Sequence, residues 1–124
     1  MANTYRELTA WQKAFSLCLD AHRATRHFPK TEAYGLAAQM QRAAVSVPSN
    51  IAEGFGRRTT PDFLRSLYIA YGSICELQTQ IMLAAELGYL QQDESDSLLQ
   101  TAGDVERLTK AFIRSLEKKR FPAH

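Results

Sequence analysis

Apolar residues recur every three or four positions along four stretches of the chain, which is the period of an amphipathic α-helix. Polar segments that contain proline or glycine separate these stretches, and no stretch alternates apolar and polar residues as a half-buried strand does. The pattern predicts four helices, at about 9–26, 31–53, 61–87 and 93–118.

Residues at the predicted helix ends support these bounds. Thr9-Ala10-Trp11-Gln12 fits a capping box, and Thr60-Pro61-Asp62 supplies an N-cap followed by a proline in the first turn. Gly88 is suited to the left-handed conformation that ends many helices. Pro48 lies inside the second stretch and has no N–H for the Ala44 carbonyl, so a kink is expected there.

Helices of this length joined by short connections favour antiparallel neighbours. We therefore expect an all-α fold, an antiparallel up-down-up-down four-helix bundle that forms a single domain over residues 1–124, with helix two kinked near Pro48.

Cys18 and Cys75 are isolated on apolar stripes, which is typical of reduced thiols in a cytoplasmic protein. The N-terminus lacks the apolar core of a secretory signal, and no stretch has the ~20 apolar residues of a membrane span.

Helix three carries a second apolar row beside its main one, so its apolar surface is wider than the stripe of about 100° that one buried side requires. A second copy of the chain would cover this row in an oligomer. The alternative is that helix three is the most central element of a monomer. The candidate oligomer interface comprises Leu64, Tyr68, Tyr71, Met82 and Tyr89.

Polar residues also occupy positions where apolar ones are expected on helices two and three. Facing each other, they would form a buried network in which Glu53 or Glu76 pairs with Arg42 and Gly72 lets the helices approach closely. A solvated face and a ligand site are the alternatives. The candidate network comprises Gln39, Arg42, Ser46, Asn50, Glu53, Ser73 and Glu76.

The charge is small but unevenly distributed, with a formal net value of +2. Residues 1–65 carry nine Lys/Arg against five Asp/Glu, and residues 66–117 carry three against eight, before the basic run Lys118-Lys119-Arg120. This asymmetry indicates either a basic surface for phosphates or complementary faces within an oligomer. The candidate anion or nucleic-acid contacts are Arg57, Arg58 and Arg65, near the start of helix three.

Catalytic signatures are largely missing from the sequence. Gly54-Phe55-Gly56-Arg57-Arg58-Thr59 lacks the Gly-Lys-Ser/Thr ending of a P-loop and follows a helix rather than a strand. His22 and His27 are five residues apart, on different helix faces, and no Glu-x-x-His motif of a di-iron bundle is present. We expect no enzyme, no cofactor, no metal and no small-molecule substrate.

One long motif resembles a known bacterial family. The run from Tyr34-Gly35-Leu36 to Ser46-Val47-Pro48-Ser49-Asn50-Ile51-Ala52-Glu53-Gly54 is similar to the signature of the four-helix-bundle proteins named for intervening sequences of 23S rRNA genes, also labelled S23 ribosomal protein. The similarity continues through Phe63–Leu77 and Leu87-Gly88-Tyr89-Leu90.

The resemblance implies a bundle that commonly assembles into a ring, with a homopentamer as the first choice. It also implies a fold similar to that of the basic accessory proteins of diversity-generating retroelements, which associate with nucleic acid. The weak net charge departs from that pattern. On the resemblance and the uneven charge, we expect a non-enzymatic helical homo-oligomer that binds RNA or DNA through a basic surface. The alternative, which the weak net charge favours, is a protein-interaction scaffold with no nucleic-acid role.

Overall fold

The computed structural model of the protein describes residues 2–120, apart from the side chain of Arg120. Over this range the chain forms four α-helices and no strand, as the sequence predicts. Two single 3-10 turns, Tyr5–Glu7 and Lys30–Glu32, precede the first and second helices. The helices are α1 (Thr9–Thr25), α2 (Leu36–Phe55), α3 (Thr60–Glu86) and α4 (Gln92–Arg120).

Local chemistry sets the ends of α3. The side-chain oxygen of Thr59 accepts a hydrogen bond from the backbone N–H of Asp62 at 3.3 Å, which makes Thr59 the N-cap, one residue earlier than expected. Pro61 lies in the first turn, where its missing N–H costs nothing. Beyond the other end, Gly88 has a φ of 78°, the left-handed conformation predicted for it.

The capping of α1 and the start of α2 differ from expectation. Leu8 is the N-cap of α1 and makes no side-chain capping bond, so the capping box predicted at Thr9 is wrong. Helix α2 begins at Leu36 rather than at residue 31, because Lys30–Glu32 forms a 3-10 turn instead. The carboxylate of Glu32 then accepts the backbone N–H of Leu36 at 3.1 Å and takes the place of a cap.

Helix α2 continues past the buried Pro48 to Phe55 as one element. The kink expected at Pro48 stays a prediction.

Contacts between the helices show the relative directions of neighbouring helices. Ser46 meets Ser73 and Gly54 lies beside Ser66, so residue numbers fall along α2 as they rise along α3. The bonds from Tyr68 to Glu117 and from Gln78 to Glu106 show the same opposite order for α3 and α4. The end of α4 therefore lies beside the start of α3.

Alanine is the commonest core residue of α1 and α2, although these helices also bury large side chains such as Met40 and Ile51. Alanines such as Ala14, Ala21 and Ala44 are buried on the first two helices, and α3 contributes fully buried leucines and isoleucines. Each large side chain removed from water stabilises the fold by about 1.5–3 kcal/mol. Both α1 and α3 pack against α2 and α4 but not against each other, so they occupy opposite corners of the bundle.

Candidate assembly and nucleic-acid surfaces

The predicted polar network lies along a groove between α2 and α3. One part of the groove, about 480 Å³, is lined by Gln39, Arg42, Ser46, Ser73 and Glu76 together with Ala43. The next part, about 390 Å³, is lined by Asn50, Glu53, Arg57, Asp62, Arg65, Ser66 and Ile69. The residues thus share one surface, which is open to solvent.

Three of these side chains form a connected cluster. The hydroxyls of Ser46 and Ser73 are 2.7 Å apart, and Asn50 Nδ2 donates to the backbone oxygen of Ser46 at 2.8 Å and to its hydroxyl at 3.0 Å. All three residues are half-buried. The cluster joins α2 to α3 at the middle of both helices.

The prediction of burial is wrong for the other four members. Gln39, Arg42, Glu53 and Glu76 are exposed. Among the described residues, neither glutamate forms an ion pair with Arg42; Glu76 instead accepts a hydrogen bond from Gln80 at 3.3 Å. These side chains lie at the mouth of the groove, where water solvates their polar and charged groups and no buried partner is required.

The close approach predicted at Gly72 occurs at a different glycine. A Cβ atom at Gly72 would meet no heavy atom within 4 Å, whereas one at Gly54 would lie 2.9 Å from Ser66 Cβ. Gly54 is buried where α2 crosses the start of α3. The bundle itself therefore requires glycine at position 54 and not at position 72.

The second row of α3 is divided between the interior and the surface. Leu64 is 0% exposed, so it belongs to the core of its own chain and is unavailable to a partner. The Tyr89 hydroxyl donates to Glu32 at 2.9 Å, and its ring lies 5.4 Å from that of Phe28. Tyr68 and Met82 are exposed, at 46% and 50%.

Tyr71 is half-buried and belongs to a cluster that joins α3 to α4. Glu106 accepts hydrogen bonds from Gln78 at 3.0 Å and from the Tyr71 hydroxyl at 3.5 Å, and it pairs with Lys110 at 3.3 Å. The bond from Gln78, helped by Lys110, lowers the pKa of Glu106, and the bonds with Tyr71 and Glu106 raise the pKa of Lys110. Lys110 also lies over the Tyr71 ring, 5.4 Å from its centroid.

Three exposed apolar residues on the α3 side were missed by the sequence prediction. Ile69 and Leu83 are each 49% exposed, and Leu87, just after α3, is also exposed. Ile69 and Leu83 are fourteen residues apart, about four helical turns, so they lie on the same side of the helix. That spacing is visible in the sequence, but both positions fall outside the two rows from which the interface was predicted.

The three candidate arginines, Arg57, Arg58 and Arg65, are all exposed. Arg57 and Arg65 line the same part of the polar groove, and Arg58 does not. Glu53 and Asp62 line that part as well, so its charge is balanced. The groove by itself is therefore not a strongly positive site.

The fold adds cations that the sequence prediction did not connect with these arginines. Because the end of α4 lies beside the start of α3, Arg114, Lys118 and Lys119 share one end of the bundle with them. These six cations are Arg57, Arg58, Arg65, Arg114, Lys118 and Lys119, and the carboxylates of Glu53, Asp62 and Glu117 lie at the same end of the bundle. We call this set of six the basic end; the side chain of Arg120 lies outside the described residues.

Two side chains suited to metal chemistry, Cys18 and His22, lie together on α1, with Sγ 3.8 Å from Nδ1. Over residues 2–120, no group of three or more His, Cys, Asp or Glu could hold a metal ion. Cys18 and Cys75 are unpaired, and burial raises the pKa of the Cys18 thiol. None of the helices, as far as they are described, is long and apolar enough to cross a membrane.

Comparison with known proteins identifies the fold and the family. A crystal structure from Bacteroides thetaiotaomicron VPI-5482, of a protein with unknown function from the S23 ribosomal protein family, matches with a TM-score of 0.77 and 17% identity, over 85% of this chain and 95% of that one. At that identity the likeness concerns the fold alone. A search of curated proteins found no match. The sequence profile described as 23S rRNA-intervening sequence protein matches residues 6–111. The chain therefore belongs to the 23S rRNA-intervening sequence protein family.

Proposed function

We propose that this protein is a non-enzymatic helical bundle that acts by assembling with copies of itself, with five copies as the first choice from the family resemblance. The observation that carries the proposal is the exposed apolar surface of α3. Of nine large hydrophobic side chains exposed on the described part of the chain, five lie on or just after this one helix: Tyr68, Ile69, Met82, Leu83 and Leu87.

A cluster of exposed apolar side chains is unfavourable for a protein that remains monomeric in water. These five residues, which we call the apolar patch of α3, lie in two groups about four helical turns apart, Tyr68 with Ile69 and Met82 with Leu83 and Leu87. Single exposed apolar residues are common, but several on one helix favour an interaction site. Tyrosine and methionine are also enriched in protein interfaces. The unpaired Cys18 and Cys75 support a cytoplasmic location for the assembly, since thiols stay reduced there.

Light scattering after size-exclusion chromatography tests self-association directly. We expect the wild-type chain to have a multiple of the 14.0 kDa monomer mass, five-fold for a pentamer. Leu83→Glu places a charge in the apolar patch and is expected to reduce the mass to that of one chain. Gln100→Glu, at an exposed position on α4, is the matched control and should leave the mass unchanged. A wild-type chain that stays monomeric at every concentration contradicts the proposal.

Nucleic-acid binding is the second candidate function, and the basic end supports it. Six cations at one end of each chain would be multiplied in a ring, so weak contacts to phosphates would add up. We expect a short structured RNA to bind with an affinity that falls steeply with salt.

Paired variants test whether the basic end binds this RNA. Arg57→Ala/Arg58→Ala and Lys118→Ala/Lys119→Ala should each flatten the salt dependence, by about 0.7–0.9 in slope per lost phosphate contact. Lys30→Ala, between α1 and α2 at the other end of α2, is the control. RNA binding that is undetectable or unaffected by these substitutions would instead favour a protein-interaction scaffold with no nucleic-acid role.

A further inference from the structure

A second apolar surface lies on α1. Phe15 and Leu19 are one helical turn apart, and both are exposed. The ring of the half-buried Trp11, one turn earlier, is 5.1 Å from that of Phe15. Together these three residues, Trp11, Phe15 and Leu19, form a ridge along α1.

The α1 ridge and the apolar patch of α3 cannot cover each other within one chain. Because α1 and α3 occupy opposite corners of the bundle, their outward surfaces face in opposite directions. Within the chain, Trp11 of the ridge packs on the ring of Tyr5, 5.2 Å away. Two copies in the same orientation bring the ridge of one towards the patch of the other.

The helices that carry the two surfaces have opposite net charges. Helix α1 and its C-cap carry Lys13, Arg23 and Arg26 against Asp20, three positive and one negative, a net charge of +2. Helix α3 carries Arg65 against Asp62, Glu76 and Glu86, one positive and three negative, a net charge of −2. Contact between α1 and α3 of different copies brings opposite charges together, whereas contact of α3 with α3 brings like charges together.

Gly72 supports a partner on α3 independently. It is an exposed glycine in the interior of a helix, a position that costs about 1 kcal/mol relative to alanine. Beyond its chain neighbours and the adjacent backbone of its own helix, no atom of the described residues comes within 4 Å of the place that a Cβ would occupy. It lies between Ile69 and Leu83 on the exposed side of α3, where the missing side chain allows another helix to approach closely.

We infer that the assembly is built by a head-to-tail contact, in which the α1 ridge of one copy packs on the apolar patch of α3 of the next. This inference rests on the proposed self-association and specifies its geometry. Two different surfaces that meet form a heterologous interface, and repetition of such an interface closes into a ring when the rotation between copies allows it. A single α3-to-α3 contact would instead stop at a dimer.

Mixing two complementary variants tests the geometry. Phe15→Glu disables the α1 ridge and keeps the α3 patch, while Leu83→Glu does the reverse. Each variant alone should have the mass of one chain, and the mixture should double that mass because one intact pair of surfaces remains. Circular dichroism checks that both variants are folded. If Phe15→Glu alone assembles like the wild type, the inference is wrong.

The only tryptophan of the chain gives a second test that needs no substitution. Since Trp11 lies on the ridge, diluting the wild-type assembly should shift its emission to longer wavelength over the same concentrations at which the mass falls. A mass that falls while the emission stays constant overturns the inference but leaves self-association intact. A wild-type chain that is monomeric throughout overturns both.

Discussion

A Cβ atom at Gly54 of α2 would lie 2.7 Å from Cδ1 of Phe63 on α3, closer than such atoms can pack. The ring of Phe63 could turn, but the Cβ of Ser66, at 2.9 Å from the same point, is fixed to the backbone. The two helices are thus in contact at a position that only glycine can fill.

Gly54→Ala should therefore destabilise the protein although alanine favours helix formation. Overpacking costs about 1–3 kcal/mol, which exceeds the gain of about 1 kcal/mol in helix propensity at the upper end of that range. Gly103→Ala on α4 is the control, because its Cβ would meet only the guanidinium of Arg107 at an ordinary 3.5 Å. Urea denaturation followed by circular dichroism compares the two. Equal stabilisation by both substitutions would contradict the close contact.

The polar cluster between α2 and α3 should contribute modestly to stability. Ser46→Ala and Ser73→Ala each remove one member of a half-buried pair, so each should lower the free energy of unfolding by about 0.5–1.5 kcal/mol. The double variant should lose less than the sum, because both substitutions remove the same hydrogen bond. Glu53→Ala, at the exposed mouth of the groove, should change the same quantity by less than about 0.5 kcal/mol. A larger loss of unfolding free energy for Glu53→Ala would mean that Glu53 does belong to a buried polar network.

Two residues of the predicted interface row should behave differently. Leu64→Ala leaves a cavity in the core and is expected to lower the free energy of unfolding by about 2–5 kcal/mol. Met82→Ala removes an exposed side chain and should leave that free energy nearly unchanged while weakening self-association. Denaturation and light scattering on the same samples separate the two effects. A strong loss of folding stability for Met82→Ala would mean that its side chain belongs to the core.

The lowered pKa values of two carboxylates, Glu32 and Glu106, predict that the protein loses stability in acid. Hydrogen bonds from the Leu36 N–H and the Tyr89 hydroxyl lower the pKa of Glu32, and the bond from Gln78 lowers that of Glu106, each from an ordinary value of 4.5. Because the folded-state pKa values are lowered, this stability is fully present above about pH 4.5 and is lost as the pH falls through the folded-state values.

Thermal denaturation at several acidic pH values measures this effect. Glu32→Gln should reduce the dependence of the melting temperature on pH below about 4.5. Tyr89→Phe should reduce it less, since the backbone bond from Leu36 remains. If Glu32→Gln follows the wild-type curve throughout this range, the hydrogen bonds of Glu32 contribute nothing to acid sensitivity.

The sequence by itself determined the number and type of elements and the family. Helical periodicity is local, so four stripes of apolar residues are enough to predict four helices. Pro61 at the start of α3 and Gly88 after its end act through the local backbone, so the sequence likewise predicted where this helix begins and ends. The long motif around Pro48 identified the family from residue identities alone. The start of α2 was misplaced because Glu32 caps it through a side chain rather than by being part of the helix.

The tertiary structure decided how each helix is rotated and which distant residues meet. A helical period shows that Leu64 and Met82 share a row, but only packing against the other helices places the first in the core and the second in solvent. Arg57 and Lys118 are far apart in sequence, and the opposite directions of α3 and α4 bring them to one end of the bundle. The diagonal placement of α1 and α3 arises in the same way. These relationships depend on non-local packing, in which each helix buries its widest apolar surface against its neighbours, and no local pattern specifies that arrangement.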